Sequence, residues 1–207
     1  MAQASVQKPS HVFVNCPFDG QYKGLFDAIV FAVFDCGFTP RCAKEVTDSG
    51  VIRIETIQRI IEESKFGIHD LSRVELNENK LPRFNMPLEL GLFLGAKRYG
   101  HDAQRDKRCL IMDSERYRYQ QFISDIGGQD VKAHGNDKKT CIRVVRDWLN
   151  DASGRKTLPG GNAIHEHYLA FEQDLPKLCR KLKIEKEELT YNDFAEIASS
   201  WLEAMNS

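Results

Sequence analysis

Glu89 is the residue in this chain with the clearest potential for chemistry. It lies in Arg83-Phe84-Asn85-Met86-Pro87-Leu88-Glu89-Leu90-Gly91-Leu92-Phe93-Leu94-Gly95-Ala96-Lys97, an apolar stretch with a single carboxylate. Pro87 suits a first helical position, because its fixed φ is helical and its missing N–H would be unpaired there anyway. That reading puts Glu89 in the first turn, where backbone N–H groups point outward and the helix dipole is positive. The rest of the helix is too apolar for a solvated face, so it is expected to be buried. A carboxylate at the mouth of a buried helix costs free energy unless it is capped, paired or used. Used, it would stabilise a developing positive charge or trap it covalently. The alternatives are a ligand contact without turnover and a capping carboxylate worth about 0.5–1 kcal/mol.

The other polar candidates follow apolar runs. Asn15, Pro17, Phe18 and Asp19 come just after His11-Val12-Phe13-Val14. Arg41, Asp48 and Ser49 flank a second short run. Asp70, Ser72 and Arg73 close Phe66-Gly67-Ile68-His69. Each has an ordinary structural reading as well. Asp70 can cap a turn, Phe18 can plug a core, and the arginines can be surface ion-pair partners. Cys16 lies beside this group as a possible thiol. His165 and His167 are two apart and point away from each other on a helix, so they make no metal pair.

The elements that would position these residues alternate. Strands are expected at His11–Asn15, Phe38–Ala43, Phe66–Leu71, Arg108–Met112 and Asp130–His134. Pro40 objects mildly to a central place for the second. Between them, Leu25, Phe26, Ile29, Val30, Val33 and Phe34 recur at helical spacing up to Gly37. Ile52, Ile57, Ile60 and Ile61 form a second stripe, the Glu89 helix is a third, and Tyr117–Ile126 and Lys139–Leu149 complete the set. Alternating strands and helices imply a parallel sheet covered on both faces. Five strands suit a flavodoxin-like order, 2-1-3-4-5, in which ligands bind beyond the carboxyl ends of the strands. All the candidates above would meet at that edge.

The expected organisation is a lead-in over residues 1–10, an α/β domain over 11–152 and a Gly- and Pro-containing linker over 153–163. Residues 164–207 would form a helical extension that packs on the sheet domain or on a second subunit. Net charge is −1, so no electrostatic excess recruits nucleic acid or an anionic membrane. No apolar run reaches the roughly 18 residues of a membrane span. Six dispersed cysteines without a CxxC pair are expected to be free thiols in a reducing cytoplasm, and they support no zinc site.

Three segments carry a resemblance: Val12-Phe13-Val14-Asn15-Cys16-Pro17-Phe18-Asp19, Gly67-Ile68-His69-Asp70-Leu71-Ser72, and Leu88-Glu89-Leu90-Gly91 with Gly95-Ala96-Lys97. In this order they resemble the nucleoside 2-deoxyribosyltransferase-like and TIR-like superfamily over roughly residues 10–115. The resemblance implies a glycosidic-bond enzyme in which Glu89 acts at the anomeric carbon and Asp70 assists at the leaving base. It also implies a nucleotide ligand, NAD-like first, with no separate cofactor. Relatives of this kind serve antiviral or nucleotide-signalling systems and assemble into homo-oligomers. One departure is plain: the Asp-x-Gly-Thr stretch usual before the transferase glutamate is replaced here by Arg83-Phe84-Asn85-Met86-Pro87. A divergent member acting on a larger nucleotide, or only binding one, fits that departure better than free-nucleoside transfer. Such a bond breaks through an oxocarbenium-like transition state, which a carboxylate stabilises. A purine or pyrimidine base leaves better when protonated, a task for Asp70 or His69, while nicotinamide departs neutral. Backbone N–H groups at Asn15–Gly20, with Arg41 or Arg73, could hold phosphates, and Asp48 or Ser49 a ribose.

Overall fold

In the computed structural model, residues 10–74, 82–155 and 158–206 are described. The expected lead-in up to residue 9, Lys80 with the rest of 75–81, and positions 156–157 of the expected linker lie outside them. Five strands, β1 (His11–Asn15), β2 (Thr39–Arg41), β3 (Phe66–Asp70), β4 (Arg108–Asp113) and β5 (Lys132–Ala133), form one parallel sheet. Their order is β2-β1-β3-β4-β5, the expected flavodoxin-like arrangement. Register is set by Val12 beside Phe66 and by Phe66 beside Arg108. Pro40 lies inside β2, and β2 is an edge strand, where a missing N–H breaks no ladder on the outer side.

Side-chain alternation along the strands divides the core into two faces. Val12, Val14, Phe66, Ile68, Leu110 and Met112 point to one face and pack under α1 (Lys23–Asp35) and α5 (Lys138–Ser153). Phe13, Leu71 and Ile111 point to the other, under α2 (Arg53–Glu63) and α3 (Asn85–Tyr99). Gly67 lets α3 come close to β3, since a Cβ there would lie 2.8 Å from both His69 Nε2 and the Phe93 ring. Gly37, at φ +73°, closes α1 as expected.

Several boundaries differ from the sequence reading. Helix α3 begins at Asn85, so Pro87 is its third residue and Glu89 falls in the second turn. The first four helical N–H groups lack intrahelical acceptors, and proline is tolerated at any of the first positions for that reason. Residues 117–126 form two short 3₁₀ turns, Arg118–Gln121 and Ser124–Ile126, in place of the expected helix. A one-turn helix, α4 (Asp102–Arg105), precedes β4. β5 is two residues long instead of five.

The C-terminal part is α6 (Gly161–Leu182) and α7 (Tyr191–Met205), with α7 held by a Thr190–Asp193 capping box. Both pack on α1, and α6 also on α5. Their apolar residues Tyr168, Phe171, Phe194 and Leu202 belong to the same continuous core as Val12 and Ile29. Among the described residues, no helix is long and apolar enough to cross a membrane.

Candidate functional site

At the carboxyl edge of the sheet, between the ends of β1 and the start of α3, lies a cleft of ≈ 370 Å³. It is lined by Asn15, Cys16, Pro17, Phe18 and Asp19 from the β1 loop, by Arg83, Asn85, Met86 and Glu89 around α3, and by Arg53 at the start of α2. The expected candidates Glu89, Asn15, Pro17, Phe18 and Asp19 are thus brought together.

Glu89 is 6% exposed, and no donor among the described residues reaches its carboxylate. Its position in the second turn removes the first-turn dipole benefit the sequence reading assigned it. Burial pushes its carboxyl up from the ordinary 4.5 to about 7, with Arg53 pulling in the opposite direction. A carboxyl half-ionised near neutrality has the chemistry of a base, a nucleophile or a proton donor.

Asn15 is fixed by both of its amide hydrogens, one going to Met86 O (2.9 Å) and one to His69 Nδ1 (3.0 Å). Its carbonyl oxygen has no donor among the described residues and is left for the cleft. Because the Asn15 amide donates, His69 Nδ1 must accept, which puts the ring proton on Nε2, beside the Phe93 ring at 5.0 Å. Burial lowers the His69 pKa to about 3. His69 is therefore neutral at physiological pH and cannot protonate a leaving base, which corrects that expectation.

Asp70 does not line the cleft. It is fully buried, with Tyr22 OH donating to Oδ2 (2.6 Å), the Ser72 N–H to Oδ1 (2.8 Å) and His134 Nε2 at 2.8 Å from Oδ2. Burial by itself would raise its carboxyl, but His134, Ser72 and Tyr22 together hold it below the ordinary carboxylate range. An ionised carboxylate sealed from the cleft is not placed to give a proton to a departing base, the role expected of Asp70. Through Tyr22 it anchors the loop that carries Pro17, Phe18 and Asp19. Burial first, then Asp70 and further neighbours that include Glu89, push the Cys16 thiol well above its ordinary range, which disfavours the thiolate, the nucleophilic form.

The remaining candidates are committed elsewhere. Arg41 makes a bidentate pair with Glu45 (2.7 and 2.6 Å) and also reaches Glu63 and His11, so it is not available as a phosphate ligand. Asp48 and Ser49 sit in an exposed turn that Asp48 braces through the Gly50 N–H, away from the cleft. Ser72 is buried beneath it, and Arg73 donates to Gln21 (2.6 Å) on the rim. Asp19 caps the Gln21 and Tyr22 N–H groups and pairs with Arg83 (2.8 Å). Phe18 stacks edge-on against Phe26 (5.3 Å) with the Lys44 ammonium 4.8 Å over its ring.

Sequence reasoning missed Arg53 and Arg83 as site residues. Arg53 makes no ion pair among the described residues and is the cation nearest in effect to Glu89. Its place just after the polar loop that follows β2, on the edge where the other candidates were expected, is the signal that could have found it. No group of histidine, cysteine, aspartate and glutamate among the described residues is arranged to hold a metal. All six cysteines are free. In comparisons with known proteins, no family model matches the chain and no curated protein is similar to it.

Proposed function

We propose that the chain hydrolyses or transfers at the N-glycosidic bond of a nucleotide, NAD-like substrates first, with the Glu89 carboxylate at the anomeric carbon. The observation that carries the reading is Glu89 itself: a buried carboxylate without a donor among the described residues, in a cleft also lined by Arg53 and Arg83. In a site shielded from water, that carboxylate stabilises an oxocarbenium-like charge far better than it could in bulk solvent. The arginines suit the phosphates of a nucleotide. With Glu89 at the anomeric carbon, Asp70 ionised and His69 neutral, none of these three is left as an acid for a departing purine or pyrimidine. A leaving group that departs neutral, as nicotinamide does, fits this best.

One observation favours a second reading, nucleotide binding without turnover in a signalling or defence system. Glu89 is half-protonated near pH 7, a weak state for a nucleophile. Incubating the protein with NAD and a panel of nucleosides and nucleotides, and following released base by chromatography, separates the two. Release by wild type but not by Glu89→Gln supports the enzyme. Saturable nucleotide binding without release supports the sensor. Neither release nor binding across the panel overturns both.

A further inference from the structure

A second groove lies along β4 and shares no lining residue with the Glu89 cleft. It encloses ≈ 690 Å³ between β4 and α5, and Cys109, Leu110, Ile111, Val144, Trp148, Arg143, Asp147 and Asp151 contribute to it. It exists because β5 is short and pairs only with Met112 and Asp113, so the first four residues of β4 have no strand on that side. In a parallel ladder, the N–H and C=O of one residue point to the same side, and successive residues alternate. Arg108 N–H donates to Lys65 O, and Met112 O accepts from Leu71 N–H, so the even-numbered residues face β3. The Cys109 N–H and C=O and the Ile111 N–H therefore face the open groove, a row of unpaired edge groups.

The side chains over this edge are sorted by charge along α5. That helix runs from the carboxyl to the amino end of the sheet, since Cys141 feels the Asp70 charge while Trp148 packs 6.0 Å from Phe66. Arg143 is at the upper end of the groove and Asp151 at the lower. Both are exposed, and neither has an ion-pair partner among the described residues. They lie four residues before and four after Asp147, about 6 Å along the helix on each side. Asp147 itself is paired with Arg146 at 3.1 Å.

We infer that this edge binds a second copy of the chain, β4 against β4 in antiparallel pairing about a two-fold axis near Cys109. The axis lets the two Cys109 residues exchange both N–H···O bonds. It also turns α5 end for end, so Arg143 of each copy meets Asp151 of the other, and two isolated charges per chain become two intermolecular pairs. Val144 and Trp148 on α5, with Leu110 from the same face of β4, supply the apolar floor beneath them. An unrelated extended peptide would satisfy the strand edge, but it gives no reason for the charge order on α5 to be self-complementary.

The test is light scattering with sedimentation equilibrium on the whole chain, wild type and three variants. Wild type is expected at about twice the 23.7 kDa monomer mass. Arg143→Asp and Asp151→Arg, both on the exposed side of α5, are each expected to weaken dimerisation at least tenfold. The double variant, Arg143→Asp with Asp151→Arg, is expected to restore it. Circular dichroism serves as the folding control. Cys109 is the one cysteine that is not buried. A short bis-maleimide should therefore link wild-type chains and leave Cys109→Ser unlinked. A monomer at every concentration, or a dimer indifferent to both single inversions, overturns the inference.

Discussion

Glu89 makes a statement about stability as well as chemistry. Folding raises its carboxyl from 4.5 to about 7, so between those values the native state holds more protons than the unfolded chain. Stability then falls as pH rises through that window. The penalty is absent below 4.5 and complete above 7, on the order of 3 kcal/mol for a group this buried. Glu89→Gln removes the ionisable group while keeping its shape. The variant is expected to match wild type in denaturant melts at pH 4.5 and to exceed it at pH 8. A variant equally or less stable at pH 8 would show that the carboxylate finds compensation in the fold. The two outcomes also bear on mechanism. A functional carboxylate held at a cost to stability is a familiar trade in binding sites, whereas a cap would lose stability when neutralised. Arg53 opposes the upward shift, and its removal should drive the Glu89 titration higher still.

At the scale of elements, the hydrogen-bonded anchor is Asp70 at the end of β3. It ties β3 to the Tyr22 hydroxyl and to His134, beyond β5, and so fixes the loop between β1 and α1 that forms one wall of the cleft. Asp70→Asn keeps the volume but removes the charge and one acceptor from three buried partners. It is expected to cost about 2–4 kcal/mol in denaturant melts and, under the proposed activity, to raise KM more than it lowers kcat. The strands were legible in the sequence because each is a short β-rich apolar run closed by turn residues, as Phe66–Asp70 is. The convergence of Asn15, Phe18 and Glu89 was legible too, because topology alone sends loop residues after parallel strands to one edge. What side chains do within that edge was not. Arg41 and Arg53 look alike in sequence, yet one is locked by Glu45 and Glu63 and the other is unpaired at the cleft. That difference arises from three-dimensional neighbours no spacing rule reports. Residues 117–126 read as a helix by composition, but Tyr117 enters them left-handed at φ +63°, and Phe122 and Ile123, at φ −134° and −146°, leave the helical region and divide the run into two 3₁₀ turns.

For the molecule as a whole, the decisive element is α1. Its residues Leu25, Phe26, Ala28, Ile29, Val30, Phe31, Ala32 and Val33 are all buried, so the helix is apolar all round and must be covered on its outer side as well as against the sheet. The stripe of six residues read from the sequence covers only part of this apolar surface, and Phe26 within it already reaches Tyr191 of α7 at 5.9 Å. Ala28, Phe31 and Ala32 were the signal that something else packs above. That cover is α6 and α7. Phe31 meets Tyr168 at 5.4 Å, Phe171 at 5.1 Å and Trp201 at 6.0 Å, and Phe171 in turn meets Phe194 at 5.6 Å. Aromatic contacts of this density add to the area they bury, and losing a core phenylalanine costs about 3–5 kcal/mol. Phe31→Ala is therefore expected to lower the whole cooperative transition, seen identically by circular dichroism and by Trp201 fluorescence. A chain ending after residue 155 should fare worse, because it leaves the outer face of α1 bare to water. Such a truncation is expected to lose cooperative unfolding and to aggregate. A soluble truncated chain with a sharp transition would mean instead that the C-terminal helices are an independent addition to a self-sufficient sheet domain.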